Sequence, residues 1–217
     1  MTSVAGPYFS LYSIKKDKMT LAQVKEFNTI YDVPMSDVPT TRVTADKLRY
    51  DLIEEEFGEL ADAIENFDLV EIADALGDIE YVVDGAILVF GLEEFAKDNE
   101  KAESWFSRSE GLVNPSARTL HLQNLKDYIL RGRAEDTARV LCQIRNDVRK
   151  TAVYYNIDLD YVVNAIHKSN LTKLGENGEV IRRAGDNKVL KGPNYKEPTG
   201  DIRAYLYDGV RDADLLG

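Results

Sequence analysis

Cysteine is nearly absent. Cys142 is the only one in 217 residues, so no intrachain disulfide can form, and a reducing compartment such as the cytoplasm is the expected setting. Its place on the stripe Leu141, Ile144, Val148 marks it as an inert core thiol. Long apolar runs are missing too: a membrane-spanning helix needs about 20 such residues, and the longest run here is only Ala86 to Phe90. The first residues, Met1 to Pro7, lack the basic-then-apolar order of a secretory signal. Positive charge is scarce. With 27 Lys and Arg against 38 Asp and Glu, the net charge is −11, which argues against general nucleic-acid binding, since that needs a positive surface. Histidine is limited to His121 and His167. Neither precedes an Asp and no Glu-x-x-His occurs, which excludes a His-Asp phosphohydrolase and a di-iron bundle. Both histidines are read as structural or surface groups.

The scarcity of cations is sharpest between Asp51 and Phe90, which holds no Lys or Arg. Within it lie two acidic segments, Glu54-Glu55-Glu56-Phe57-Gly58-Glu59-Leu60 and Glu71-Ile72-Ala73-Asp74-Ala75-Leu76-Gly77-Asp78. Carboxylates three or four apart share one face of a helix. Glu56 and Glu59 border the apolar stripe Ile53, Phe57, Leu60, Ile64, and Glu71, Asp74 and Asp78 border Ile72, Leu76, Ile79, Val83. Burying the two stripes together turns both acidic rows into one cleft. Carboxylates about 6 Å apart repel by roughly 3 kcal/mol at an effective dielectric near 20, so such a cluster calls for cations. Ligands that are all oxygen select hard ions, Mg²⁺ or Mn²⁺. A solvated acidic face is the plainer alternative, but these acids flank the apolar stripe rather than oppose it. A Nudix box is excluded because Asp51-Leu52 stand where it needs Arg-Glu.

Glu56-x-x-Glu59 followed by Glu71-x-x-Asp74 resembles the ExxE…ExxD signature of the all-α nucleoside triphosphate pyrophosphohydrolases, which include MazG, the dimeric dUTPases and phosphoribosyl-ATP pyrophosphohydrolase. The run Glu71 to Val83 is similar to the MazG-like branch. A second match, His167-Lys168-Ser169-Asn170-Leu171-Thr172-Lys173-Leu174 and then Lys188 to Tyr195, resembles the C-terminal element that closes over the nucleotide in bacterial and phage members. The likeness runs from about Leu21 to Tyr195 and is poor between Leu92 and Thr119.

The resemblance implies an all-α fold: a four-helix-bundle-type MazG-like core with extra helices and a small C-terminal β-hairpin. It implies hydrolysis of a (deoxy)nucleoside triphosphate, with a purine deoxynucleotide as first candidate, to the monophosphate and pyrophosphate. Glu56, Glu59, Glu71, Asp74 and Asp78 would hold two or three Mg²⁺ or Mn²⁺ ions. Glu55 and Glu56 would serve the attacking water, and Asn170, Lys173, Lys188, Lys191 and Tyr195 the nucleotide. A homodimer or homotetramer is implied, in the host cytoplasm for a phage protein. The alternative is a non-catalytic acidic helical binding or inhibitor protein.

Helix signals dominate the chain: Leu21 to Tyr31, Ala45 to about Asn66 with Thr44 as cap, and Leu69 to Phe90 after a tight turn at Phe67-Asp68. Glu93 to Ala117 reads as irregular, anchored by Trp105 and Phe106. Further helices follow at Leu120 to Leu130, Glu135 to Tyr155 and Tyr161 to Ser169. Glu179 to Arg182 and Lys188 to Leu190 flank Gly185-Asp186-Asn187 as the expected hairpin. One domain, 1–195, is expected, with core helices at about 20–90 and 117–170, a closing element at about 167–195 and an acidic extension at 196–217.

Overall fold

The computed structural model describes residues 20–40, 43–102 and 111–209, with the side chains of 43–46 and 98–102 left aside. The Thr44 side chain, Trp105, Phe106 and the tail 210–217 lie outside that description. The helices are α1 (20–30), α2 (Val43–Glu65), α3 (Leu69–Val89), α4 (Glu93–Ala102), α5 (Pro115–Leu130), α6 (Ala134–Tyr154), α7 (Leu159–Asn170) and a short α8 (Thr199–Arg203). None of them is long and apolar enough to cross a membrane.

The turn between α2 and α3 is three residues long, and Phe67 and Asp68 shape it. Phe67 takes a left-handed backbone (φ 56°). Asp68 then accepts the N–H groups of Val70 and Glu71 at 3.0 and 3.3 Å, satisfying donors that a helix start leaves open. So short a connection forces α3 antiparallel to α2. The expected stripes meet: Ile53, Phe57 and Leu60 from α2, and Ile72, Leu76, Ile79 and Val83 from α3, are all at most 2% exposed. In the bundle α2 packs on α3, α3 on α6, α6 on α5 and α5 back on α2. Helix α7 covers another side of α3, which explains why α3 is apolar nearly all round.

Gly91 ends α3 with φ +66°. A Cβ there would stand 2.3 Å from the Val38 carbonyl oxygen, because the loop after α1 is pinned to this helix end by Ser36 N–H to Leu88 O (3.1 Å) and Thr40 N–H to Phe90 O (2.9 Å). Gly77 has a different task. A Cβ on it would lie 2.4 Å from Ile166 Cδ1 and 2.8 Å from Val162 Cγ1 on α7. Overpacking of this kind costs roughly 1–3 kcal/mol. Gly77→Val is therefore expected to lower the melting temperature by about 3–10 °C for a chain this size, despite the better helix propensity; an unchanged transition would refute the close α3–α7 approach.

Buried charge on α3 is neutralised from across the bundle. Glu80 and Asp84 are 2% and 0% exposed. Arg149 donates to Glu80 at 2.9 Å, and Arg145, itself 3% exposed, lies 3.3 Å from Asp84 and 3.6 Å from Glu80.

Two expectations are corrected. The described residues of Glu93 to Ala117 are largely helical rather than irregular: α4 begins the stretch and α5 starts at Pro115, capped by Asn114, whose side chain accepts the Ser116 N–H at 2.9 Å. Leu92 and Ala96 are buried and Phe95 packs on them, three apolar residues at helical spacing hidden among charged neighbours. The small C-terminal hairpin is also absent as strands. Arg182 and Val189 form one isolated antiparallel bridge, with Leu190 N–H to Ile181 O at 2.9 Å. Side chains, rather than a ladder, tether this stretch: Arg182 donates to the carbonyls of Tyr31 and Asp32, and Lys188 pairs with Glu55. Beyond it, the chain returns to the core through α8, where Ile202 is fully buried and Tyr205 stacks on Tyr161 at 4.4 Å.

Candidate active site

The acidic faces of α2 and α3 open into a cavity of about 640 Å³, within the usual range for small-molecule sites. α1 and α7 complete its walls, and the segment 182–198 covers it. Because α2 and α3 run antiparallel, the cavity has two ends. At one, Glu55, Glu56 and Glu59 of α2 face Asp74 and Asp78 of α3; at the other, Leu48, Arg49 and Leu52 face Val82, Gly85 and Val89.

At the acidic end Glu56, Glu59, Asp74 and Asp78 are held above their ordinary proton affinities. Burial, then the neighbouring Asp78, Glu59 and Glu55, pushes Glu56 up to about 9. Burial, then Asp78 and Glu71, pushes Asp74 up to about 8. Asp78 rises to about 6 by burial, held back by the cation of Lys173. Glu59 is raised too, by burial and Glu55. Two oxygens in this group, Glu56 Oε2 and Asp74 Oδ1, are buried without a hydrogen-bond partner among the described residues. Leaving acceptors unmatched in this way is costly.

The cations come from the segment after α7. Lys188 Nζ stands 2.5 Å from Glu55 Oε2, and Lys191 Nζ 3.0 Å from Glu197 Oε1 and 4.4 Å from the centre of the Tyr195 ring. Lys173 lies between the rings of Phe27 and Tyr195, at 6.0 and 5.9 Å, and burial lowers its proton affinity. The strand-less loop is drawn against α7: Gly192 N–H donates to Lys173 O at 3.1 Å, and a Cβ on Gly192 would come within 2.2 Å of Leu174 O. Ser169 Oγ donates to Lys196 O at 2.6 Å.

The cavity thus gathers Glu55, Glu56, Glu59, Asp74, Asp78, Asn170, Lys173, Lys188, Lys191 and Tyr195. Glu71 is the exception. It is exposed and outside the lining, and it acts on the site through its charge near Asp74 and Glu59. Lys168 is likewise exposed and outside the lining. As the side chains stand, no three of the His, Cys, Asp and Glu groups among the described residues converge tightly enough to hold a metal ion. The donor set nonetheless fits a hard divalent cation: all ligands are carboxylate oxygens, and two buried ones lack any other partner.

Neither histidine lines the cavity. His121 meets Asp147 at 2.9 Å, and His167 bonds Tyr81 Oη at 3.0 Å and Glu26 at 3.3 Å. Sequence reasoning missed Arg49, Asn28 and Glu197 on the lining. Arg49 had a usable signal, since it lies seven residues before Glu56 and so on the same helical face.

Fold and site together define an all-α bundle in which α2 and α3 face each other across a cluster of acidic side chains. The chain belongs to the MazG-like all-α nucleoside triphosphate pyrophosphohydrolase superfamily: the phosphoribosyl-ATP pyrophosphohydrolase family matches residues 24–98, which contain Glu55, Glu56, Glu59, Glu71, Asp74 and Asp78. It is also similar to the uncharacterized protein L479 of Acanthamoeba polyphaga mimivirus, with 30% identity over 195 residues, 78% of this chain and 77% of that protein. No solved structure matches it significantly. A pyrophosphohydrolase-type function, acting on phosphoric anhydrides, goes with this family.

Proposed function

We propose that the chain hydrolyses a (deoxy)nucleoside triphosphate to the monophosphate and pyrophosphate, with a purine deoxynucleotide as first candidate. The observation that carries this is the pairing, in one cavity, of half-buried, mutually repelling carboxyls at Glu56, Asp74 and Asp78 with the lysines 173, 188 and 191. A ligand bearing several negative charges, together with divalent cations, satisfies both halves at once.

In this proposal Glu56, Glu59, Asp74 and Asp78 hold two or three Mg²⁺ or Mn²⁺ ions, with Glu71 supporting from the rim. Ions held there neutralise phosphate charge and acidify water. The chain's own groups do the rest. Glu55, ion-paired to Lys188 at 2.5 Å, is the acceptor placed to orient the attacking water and take its proton. Lys173 and Lys191 bind phosphate oxygens and stabilise the charge that gathers on departing pyrophosphate. Tyr195, with two lysines over its ring, and Asn170, 5% exposed, bound the space left for the sugar. Assembly as a homodimer or homotetramer belongs to the same proposal.

Product analysis tests the reaction directly. Monophosphate and pyrophosphate are expected in equal amounts, with little diphosphate. Stoichiometric orthophosphate, in the absence of any pyrophosphatase, would sink the assignment even if every carboxylate role were right.

A further inference from the structure

The acidic end explains the charge of the cavity but not its other half. There the wall is apolar, formed by Val24, Leu48, Val82 and Val89 among others, and two polar side chains of the cavity lining are without a task so far. Asn28 is 2% exposed, and its Nδ2 has no hydrogen-bond partner among the described residues. Arg49 lines the apolar end. Burial pushes its guanidinium down to about 10, and no hydrogen bond or counter-charge from the described residues offsets that. Room for it is made on the facing helix: a Cβ on Gly85 would lie 3.3 Å from Arg49 Nη1 and 3.9 Å from Val24 Cγ1.

A guanidinium is five donors and no acceptor. Half-buried against an apolar wall, with no acceptor from the described residues, it is left short of partners, so this end of the cavity suits a ligand that supplies acceptors. Arg49 precedes Glu56 by seven residues, about 10 Å along the helix at 1.5 Å per residue. That separation matches phosphates held at the acids and a base lying among the apolar side chains. Among base edges, guanine places two acceptors, O6 and N7, side by side, which the guanidinium fork meets with two parallel bonds. Adenine sets an N6 amino donor beside its N7, directly against the fork.

Resting on the nucleotide-hydrolysis proposal above, we infer that Arg49 reads the O6/N7 edge of a guanine base at the apolar end of the cavity. The preferred substrate is then a guanine nucleotide, and Arg49 is the residue that sets the preference.

The experiment compares kcat/KM of the full chain with Mn²⁺ for dGTP, dITP, 7-deaza-dGTP, dATP, dCTP and dTTP. The inosine nucleotide keeps O6 and N7 and is expected to match dGTP. The 7-deaza analogue loses one acceptor and is expected to fall toward dATP, which is used roughly 10- to 100-fold less well. In Arg49→Lys, which keeps the charge and loses the fork, the dGTP-to-dATP ratio is expected to drop about 10-fold or more. A preference for a base without the O6/N7 pair, indifference to the 7-deaza change, or an unaltered ratio in Arg49→Lys overturns the inference. Should the variant fail to fold, the analogue series on the wild-type chain decides. Should no triphosphate be turned over, calorimetric binding of dGMP against dAMP separates the two ideas. Tighter dGMP binding that Arg49→Lys abolishes keeps the base site while the hydrolysis proposal falls; equal binding of both overturns the base site itself.

Discussion

Glu56→Gln and Asp74→Asn are each expected to reduce turnover by about 100-fold or more, on the scale of losing a principal charge-stabilising group, while leaving the fold intact. Both amides keep the shape of the side chain and can donate to a neighbouring carboxyl. Both remove one charge from a group that burial and neighbours already push toward the neutral form. Each variant's melting temperature in EDTA should therefore equal or exceed that of the wild type. A loss of activity with a collapse of stability would point to a structural role instead. Activity above about a tenth of wild type in both variants would contradict their placement at the reacting end.

The metal-free protein should lose stability as pH rises across neutrality, and Mn²⁺ should restore it. The folded-state affinities of Asp78, Asp74 and Glu56 for protons lie near 6, 8 and 9, above the ordinary values of about 4 in an unfolded chain. For acids raised in this way the folded state binds more protons than the unfolded one. The stability they contribute is complete below about pH 4 and is lost as pH climbs through 6 to 9. Two tenfold steps in affinity retained among the three would amount to about 3 kcal/mol, or about 6–12 °C in the transition of a chain this size. Ions that bind only the folded state reverse the loss by mass action. Melting curves at pH 5.5 and 9, in EDTA and in millimolar Mn²⁺, check both halves. Curves that ignore pH and Mn²⁺ alike would favour the alternative of an acidic binding protein.

Much of this site was legible in the chain because it lies on two helices joined by a three-residue turn. Helical spacing puts Glu56 and Glu59 on one face and Asp74 and Asp78 on another, and the Phe67-Asp68 turn leaves them no arrangement but antiparallel. Glu71 shows where spacing alone stops. It lies three residues before Asp74, yet it is exposed and outside the cavity lining, because a helical face is wide and only its middle reaches the partner helix. The corrections follow the same logic. α4 was hidden because so few of its residues are apolar. The expected hairpin proved to be one bridge because its residues are held by Tyr31, Asp32 and Glu55, far away in sequence.

By itself, the sequence determined the all-α class, the antiparallel pair α2–α3, the buried stripes between them and the acidic rows they carry; each is a local matter of helical period and turn chemistry. Only the tertiary structure decided which lysines face those acids, that Arg145 and Arg149 neutralise Glu80 and Asp84, and that Arg49 stands opposite Gly85 in an apolar end. Those pairings join residues separated by tens to more than a hundred positions, and no periodicity along the chain encodes which distant side chain fills a given gap. Burial then turns such contacts into chemistry, since the same carboxyl in water would titrate as any other acid.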